Sequence, residues 1–107
     1  MSDAWKQFES ESASLFGGKR FWANSGERID FEGPYHKGQC KLVKSLSLEA
    51  LTKLVEEVDE LAMKENKSGV VCVKVRRGRG KASPGLVVMS FAQWKRFVEE
   101  MRLNGAA

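Results

Sequence analysis

The alternation of hydrophobic and polar residues predicts five β-strands and two amphipathic helices. Strand signals occur at 19–23, 28–32, 39–46, 70–77 and 85–89, and the period of two that is typical of half-buried strands is clear at 28–32 and 70–77. Apolar residues recur at helical spacing over 48–65 and again from 91 to about 103. The element order predicted from the pattern is therefore β-β-β-α-β-β-α.

Turn and capping residues stand where the periodicity changes. Gly26 follows Asn24-Ser25, a hairpin signature between the first two strands. Ser47 stands at the N-cap of the first helix, and Ser90 with Gln93 forms a capping box at the second. These signals agree with the boundaries that the hydrophobic pattern predicts.

A chain of 107 residues is the size of one domain. We expect an α+β fold, a twisted antiparallel sheet of about five strands with both amphipathic helices on one face. Residues 19–105 would form this single domain. Residues 1–18 would be an N-terminal arm or a short helix docked through Trp5, separated from the domain by Gly17-Gly18.

Charge is strongly segregated along the chain, although the net charge is only +4. The segment 66–98 has no acidic residue and eight basic ones: Lys67, Lys74, Arg76, Arg77, Arg79, Lys81, Lys95 and Arg96. The segment 48–65 is acidic instead, with six carboxylates, among them Glu56, Glu57 and Glu60, against only Lys53 and Lys64. Such segregation indicates a polyanionic partner, and nucleic acid is the commonest polyanion.

Catalytic and metal-binding patterns are missing from the sequence. His36 is the only histidine and has no base-orienting neighbour, and Cys40 and Cys72 lack metal-ligand spacing. We interpret the two cysteines as free buried thiols, with a disulfide between them as the alternative. Glycine fingerprints for nucleotides also fail, because Ala82 follows Gly80-Lys81 where Ser or Thr is required. We therefore expect no enzyme activity, no cofactor and no metal.

A basic hairpin with nearby aromatic residues is the pattern of a single-strand binder. Lys74 and Arg76 share one strand face about 7 Å apart, a spacing that suits successive phosphates. Trp22 and Tyr35 are the candidate stacking platforms, whereas Phe21, Phe31, Trp94 and Phe97 are predicted to lie in the core. The full candidate set is Lys74, Arg76, Arg77, Arg79, Lys81, Arg20, Trp22, Arg28, Tyr35, Lys37, Lys41 and Lys44.

Residues 70–101 resemble the positive-cofactor-four family of transcriptional coactivators and, more distantly, the Pur-alpha repeat. The resemblance lies in the strand 71–77 that runs into basic residues, the loop with Lys81 and Pro84-Gly85, and Gln93-Trp94 opening an amphipathic helix. It implies a curved sheet that binds single-stranded DNA as a dimer through Lys74, Arg76, Arg77, Arg79 and Lys81. The helix over 48–65 departs from that family, because it interrupts the run of strands.

We therefore predict a nucleic-acid-binding protein for single-stranded DNA or RNA, acting in replication, transcription or repair. The alternative is a small regulatory or inhibitor protein, of phage or bacterial type, that binds another protein through the basic hairpin or the acidic helix. A homodimer is left open. No membrane segment or export signal is expected, so the predicted location is cytoplasmic, with the nucleoid or the nucleus as the site of action.

Overall fold

The computed structural model describes residues 3–21, 29–103 and 105, which form three helices and one sheet of five strands. The helices are α1 (Asp3–Leu15), α2 (Leu48–Met63) and α3 (Phe91–Leu103). The strands are β1 (Lys19–Arg20), β2 (Phe31–Glu32), β3 (His36–Val43), β4 (Ser68–Val75) and β5 (Gly85–Val88). Trp22 and Arg28, two of the predicted contact residues, lie outside the described residues, as does the predicted hairpin turn at 24–27.

The α+β class, the five strands and the order β-β-β-α-β-β-α are confirmed, with α1 preceding them. The strands lie in sequence order across the sheet, β1-β2-β3-β4-β5. One pairing differs from the predicted antiparallel sheet, since β3 and β4 are parallel. The cause is α2, because a helix of about 24 Å carries the chain back along the length of β3 before β4 begins.

One face of the sheet packs against α2. Val71 and Val73 of β4 meet Val55 and Val58 of α2 in a buried cluster. The helix begins as the sequence predicts, because the Ser47 hydroxyl accepts a hydrogen bond from the Ala50 N–H at 3.1 Å. This layer is the larger part of the core and fixes the orientation of β3 and β4.

The opposite face packs against α1. Phe8 and Ala13 of this helix lie against Phe31, Val70 and Cys72, which come from β2 and β4. Trp5 and Phe16 are partly buried at the edge of the same cluster. Residues of β4 therefore contribute to both faces in alternation, as the period of two requires.

The third helix, α3, lies on the α1 side of the sheet, so α2 and α3 do not share one face as expected. Its Gln93 side chain accepts a hydrogen bond from the Ser68 hydroxyl at 2.9 Å, and Ser68 shares its face with Val70 and Cys72 by strand alternation. The face with Val71 is already covered by α2. Helix α3 touches the rest of the fold only lightly.

Two aromatic residues predicted to be core are exposed on α3. Trp94 is 54% exposed and Phe97 is 42% exposed. Phe31, in contrast, is fully buried, and Phe21 packs against the α2 layer as the sequence predicts. The apolar stripe of α3 is present as the sequence predicts, but the described part of the chain leaves it largely exposed.

Candidate nucleic-acid interface

The loop between β4 and β5 is held open by its glycines. A hydrogen bond from the Val75 N–H to the Pro84 carbonyl, 3.0 Å long, closes the base of this loop. Gly78 and Gly80 have φ angles of 95° and 77°, which side-chain-bearing residues rarely adopt. A Cβ atom on either glycine would meet nothing within 4 Å. The main chain is therefore accessible to a bulky partner such as a sugar–phosphate backbone.

Four cationic side chains project from this loop into solvent. We call residues 76–81 the basic loop; its cations are Arg76, Arg77, Arg79 and Lys81, and all four are exposed. None of them forms an ion pair within the part of the chain that the structure describes. The carboxylates of α2 therefore do not neutralise the basic loop, and its positive charge remains available to a ligand.

The parallel pairing of β3 and β4 brings a fifth cation to the same end of the sheet. The Arg76 N–H donates to the Val43 carbonyl at 2.8 Å, so the chain continues the pairing one residue beyond β4. Lys44 directly follows Val43 and is exposed. An antiparallel arrangement would have placed Lys44 at the far end, because the ends of antiparallel strands point in opposite directions.

Lys74 lies between the core and the basic loop. Its Nζ atom is 5.5 Å above the centre of the Phe8 ring, a cation–π geometry, and the side chain is half-buried on the α1 face. Arg76 follows on the same strand face about 7 Å further along. The predicted pair is therefore adjacent, with Arg76 the more accessible member.

Three other predicted contact residues lie away from the basic loop. Lys37 is buried and forms an ion pair with Glu65, and the Lys37 ammonium lowers the pKa of that carboxyl. Arg20 pairs with Glu9, with 2.8 Å between Nε and Oε1. Lys41 is half-buried and in register with Val73, on the α2 side of the sheet. The structure does not bring these side chains to the basic loop.

Tyr35 lies at the opposite end of the sheet from the basic loop. It precedes β3, and its carbonyl accepts a hydrogen bond from the Ser68 N–H at the start of β4. The basic loop follows the other end of β4, and a strand of eight residues is about 23–26 Å long. The Tyr35 ring is exposed, but it does not form one surface with the basic loop.

The exposed aromatic side chains of α3 are the feature that sequence reasoning missed. The Trp94 and Phe97 ring centres are 5.5 Å apart. Together with Phe16, His36, Val87 and Met89 they line a groove of about 410 Å³ between α3 and the sheet. This exposure cannot be predicted from the sequence, because an amphipathic stripe has the same pattern whether its own chain or another molecule covers it.

The described residues give little support to metal binding or to a catalytic role of His36. No group of three or more His, Cys, Asp or Glu side chains there could hold a metal ion. His36 packs on the Phe16 ring with 4.8 Å between centroids, and burial lowers its pKa. None of the described helices has the length and apolar character needed to cross a bilayer.

Comparisons with protein-family models, with curated proteins and with solved structures found no match. The resemblance of residues 70–101 to the positive-cofactor-four family therefore stays a prediction from sequence.

Proposed function

We propose that this protein binds nucleic acid through the basic loop and Lys44. The observation that supports this function best is the solvent exposure of four cations within six residues, without an ion pair in the described part of the chain. Phosphates are the natural ligands of such a cluster, because Arg and Lys release condensed counterions when they neutralise them. The open main chain at Gly78 and Gly80 allows the sugar–phosphate backbone to approach closely.

We propose a preference for single strands, carried by a stacking contact in addition to the phosphate contacts. Single-stranded nucleic acid can bend around a protruding hairpin, and its bases are available to aromatic rings. Trp22 remains the candidate platform, since Tyr35 is separated from the basic loop by the length of β4. Phosphate contacts alone would bind without regard to sequence.

Reversing one charge in the basic loop is the direct test. At about 0.1 M salt each phosphate contact with a single strand contributes roughly fivefold in affinity, and it adds about −0.7 to the slope of log affinity against log salt. Arg79→Glu should therefore weaken oligonucleotide binding at least about fivefold and make the slope shallower by about 0.7. Arg76→Glu/Arg79→Glu should weaken it roughly 25-fold.

Lys64→Glu is the matched control, because it makes the same change in net charge at an exposed position that follows α2, near the end of the sheet remote from the basic loop. Fluorescence anisotropy with single- and double-stranded oligonucleotides at several salt concentrations provides the readout. Equal effects of Arg79→Glu and Lys64→Glu would contradict a defined site. Absence of binding at low salt would exclude nucleic acid and leave an acidic protein surface as the partner of the basic loop.

A further inference from the structure

Helix α3 presents its apolar side to solvent. Phe91 is 82% exposed, and Trp94, Phe97 and Met101 on the same helical stripe are also exposed. A helix of 13 residues is marginally stable in water by itself, so it normally needs a packed apolar face. Hydrogen bonds tie α3 to the start of β4, because both Gln93 and Arg96 bond to the Ser68 hydroxyl. Nothing among the described residues covers the stripe, so it is available for contact with another molecule.

This stripe is continuous with an apolar part of the sheet. We define the α3–β5 face as Leu15, Val87, Met89, Phe91, Trp94, Phe97 and Met101. Val87 and Met89 line the same groove as Trp94 and Phe97, and Val87 also borders Leu15 of α1. Among the described strands, β5 pairs only with β4, so its outer edge is open beside this face.

The α3–β5 face is large enough for the interface of a stable dimer. Large apolar side chains at these exposures present on the order of 600–700 Å² of apolar surface. That is at or above the largest apolar patch of a typical monomer, about 300–600 Å². A standard interface buries roughly 800 Å² per partner, about 65% of it apolar in homodimers, and the α3–β5 face is large enough to supply that apolar share.

The charges around α3 favour a second copy over a polyanion or an anionic lipid surface. Lys95 and Arg96 are followed one helical turn later by Glu99 and Glu100, and the Arg96 Nε atom lies 3.9 Å from Glu100 Oε1. The carboxylates would repel phosphate groups, in contrast to the basic loop, which has no acidic residue. A surface of mixed sign can instead pair with itself across a two-fold axis.

We propose that the α3–β5 face is a two-fold homodimer interface. It carries both a projecting aromatic ring, Phe91, and a groove of about 410 Å³ able to receive one. A two-fold axis lets Phe91 of each copy enter the groove of the other, since both features belong to the same face. The dimer presents two basic loops, so a long polyanion that reaches both would be held by linked contacts.

The test is the mass of the full chain in solution, measured by analytical ultracentrifugation over a wide range of concentrations. We expect twice the chain mass of 12.0 kDa. Phe91→Glu should weaken the dimer by about 100-fold or more, because each dimer carries two copies of the change. Leu48→Glu is the matched control, since Leu48 is 81% exposed against 82% for Phe91 and both residues are the first of their helices. It should leave the dimer unchanged.

Met101→Arg is a second variant that should disrupt the dimer. A positive charge is favourable near the C-terminal end of α3, so this variant can still test the proposal if Phe91→Glu does not fold. Circular dichroism of each variant separates unfolding from dissociation. A wild-type chain that stays monomeric throughout, or a mass that grows beyond two chains, overturns the proposal, as does equal weakening by Leu48→Glu. The measurement contains no nucleic acid, so failure of the basic loop to bind oligonucleotides would not affect it.

Discussion

Gly38 is in contact with a phenylalanine ring that has no room to move. It lies opposite Phe31 in the β2–β3 pairing. A Cβ atom on Gly38 would lie 2.0, 2.2 and 2.6 Å from three carbon atoms of that ring. Phe31 is fully buried, and Phe16 stacks on it with 5.6 Å between centroids. The ring therefore cannot withdraw from an added methyl group without displacing its neighbours.

We expect Gly38→Ala to lower the free energy of unfolding by about 3 kcal/mol. Overpacking of a core typically costs about 1–3 kcal/mol. This contact belongs at the upper end of that range, because the added Cβ would lie only 2.0 Å from the Phe31 Cζ atom, more than 1 Å closer than an ordinary van der Waals contact. For a domain of this size, such a loss lowers Tm by roughly 10–20 °C. Urea denaturation followed by circular dichroism measures the first quantity, and a thermal scan measures the second.

Gly85→Ala is the matched control for this substitution. Gly85 is also in a strand, but its added Cβ would lie 3.7 Å from the nearest atom of Phe8, an ordinary contact. The free energy of unfolding should change by less than about 1 kcal/mol, because the unfolded chain loses some freedom without a clash in the folded state. Adding Phe31→Leu to Gly38→Ala should recover part of the loss. If Gly38→Ala proved as harmless as Gly85→Ala, the packing argument would be wrong.

Two further predictions concern titratable groups in the interior. Cys40 and Cys72 are free, buried and in register on neighbouring strands, and their mutual hydrogen bond together with burial raises the pKa of the Cys40 thiol. A thiol-specific disulfide reagent should therefore react slowly with the native protein and fully in denaturant, and rapid native labelling would contradict this. Burial lowers the pKa of His36 below 6.5, so as the pH falls His36 is protonated in the unfolded state before it is protonated in the folded state. The free energy of unfolding should therefore fall as the pH drops from about 6.5 through that lowered pKa. In urea denaturation at a series of pH values, His36→Gln should remove this part of the pH dependence. An unchanged slope of stability against pH in the variant would contradict the prediction.

Local patterns in the chain predicted the five strands, α2 and α3, because strand and helix periods are properties of neighbouring residues, whereas they left α1 open between an arm and a short helix. The Ser47 cap is present as expected, and Ser90 caps α3 by accepting the Gln93 N–H at 3.2 Å. The reciprocal hydrogen bond of the predicted capping box is not seen among the described residues, however, because the Gln93 side chain accepts a hydrogen bond from the Ser68 hydroxyl of β4 instead. The exposed basic loop was also foreseeable, as a charged segment rich in glycine is poorly suited to burial.

Long-range packing determines the strand directions and which candidate site residues lie together. The parallel pairing of β3 with β4 gathers Lys44 beside Arg76, and the same packing buries Lys37 against Glu65 and separates Tyr35 from the basic loop. Periodicity states which residues share a face, but it carries no information about which element covers that face or in which direction the next strand runs. For that reason the basic loop could be read from the order of residues, whereas the uncovered stripe of α3 became visible only when all three helices had been placed on the sheet.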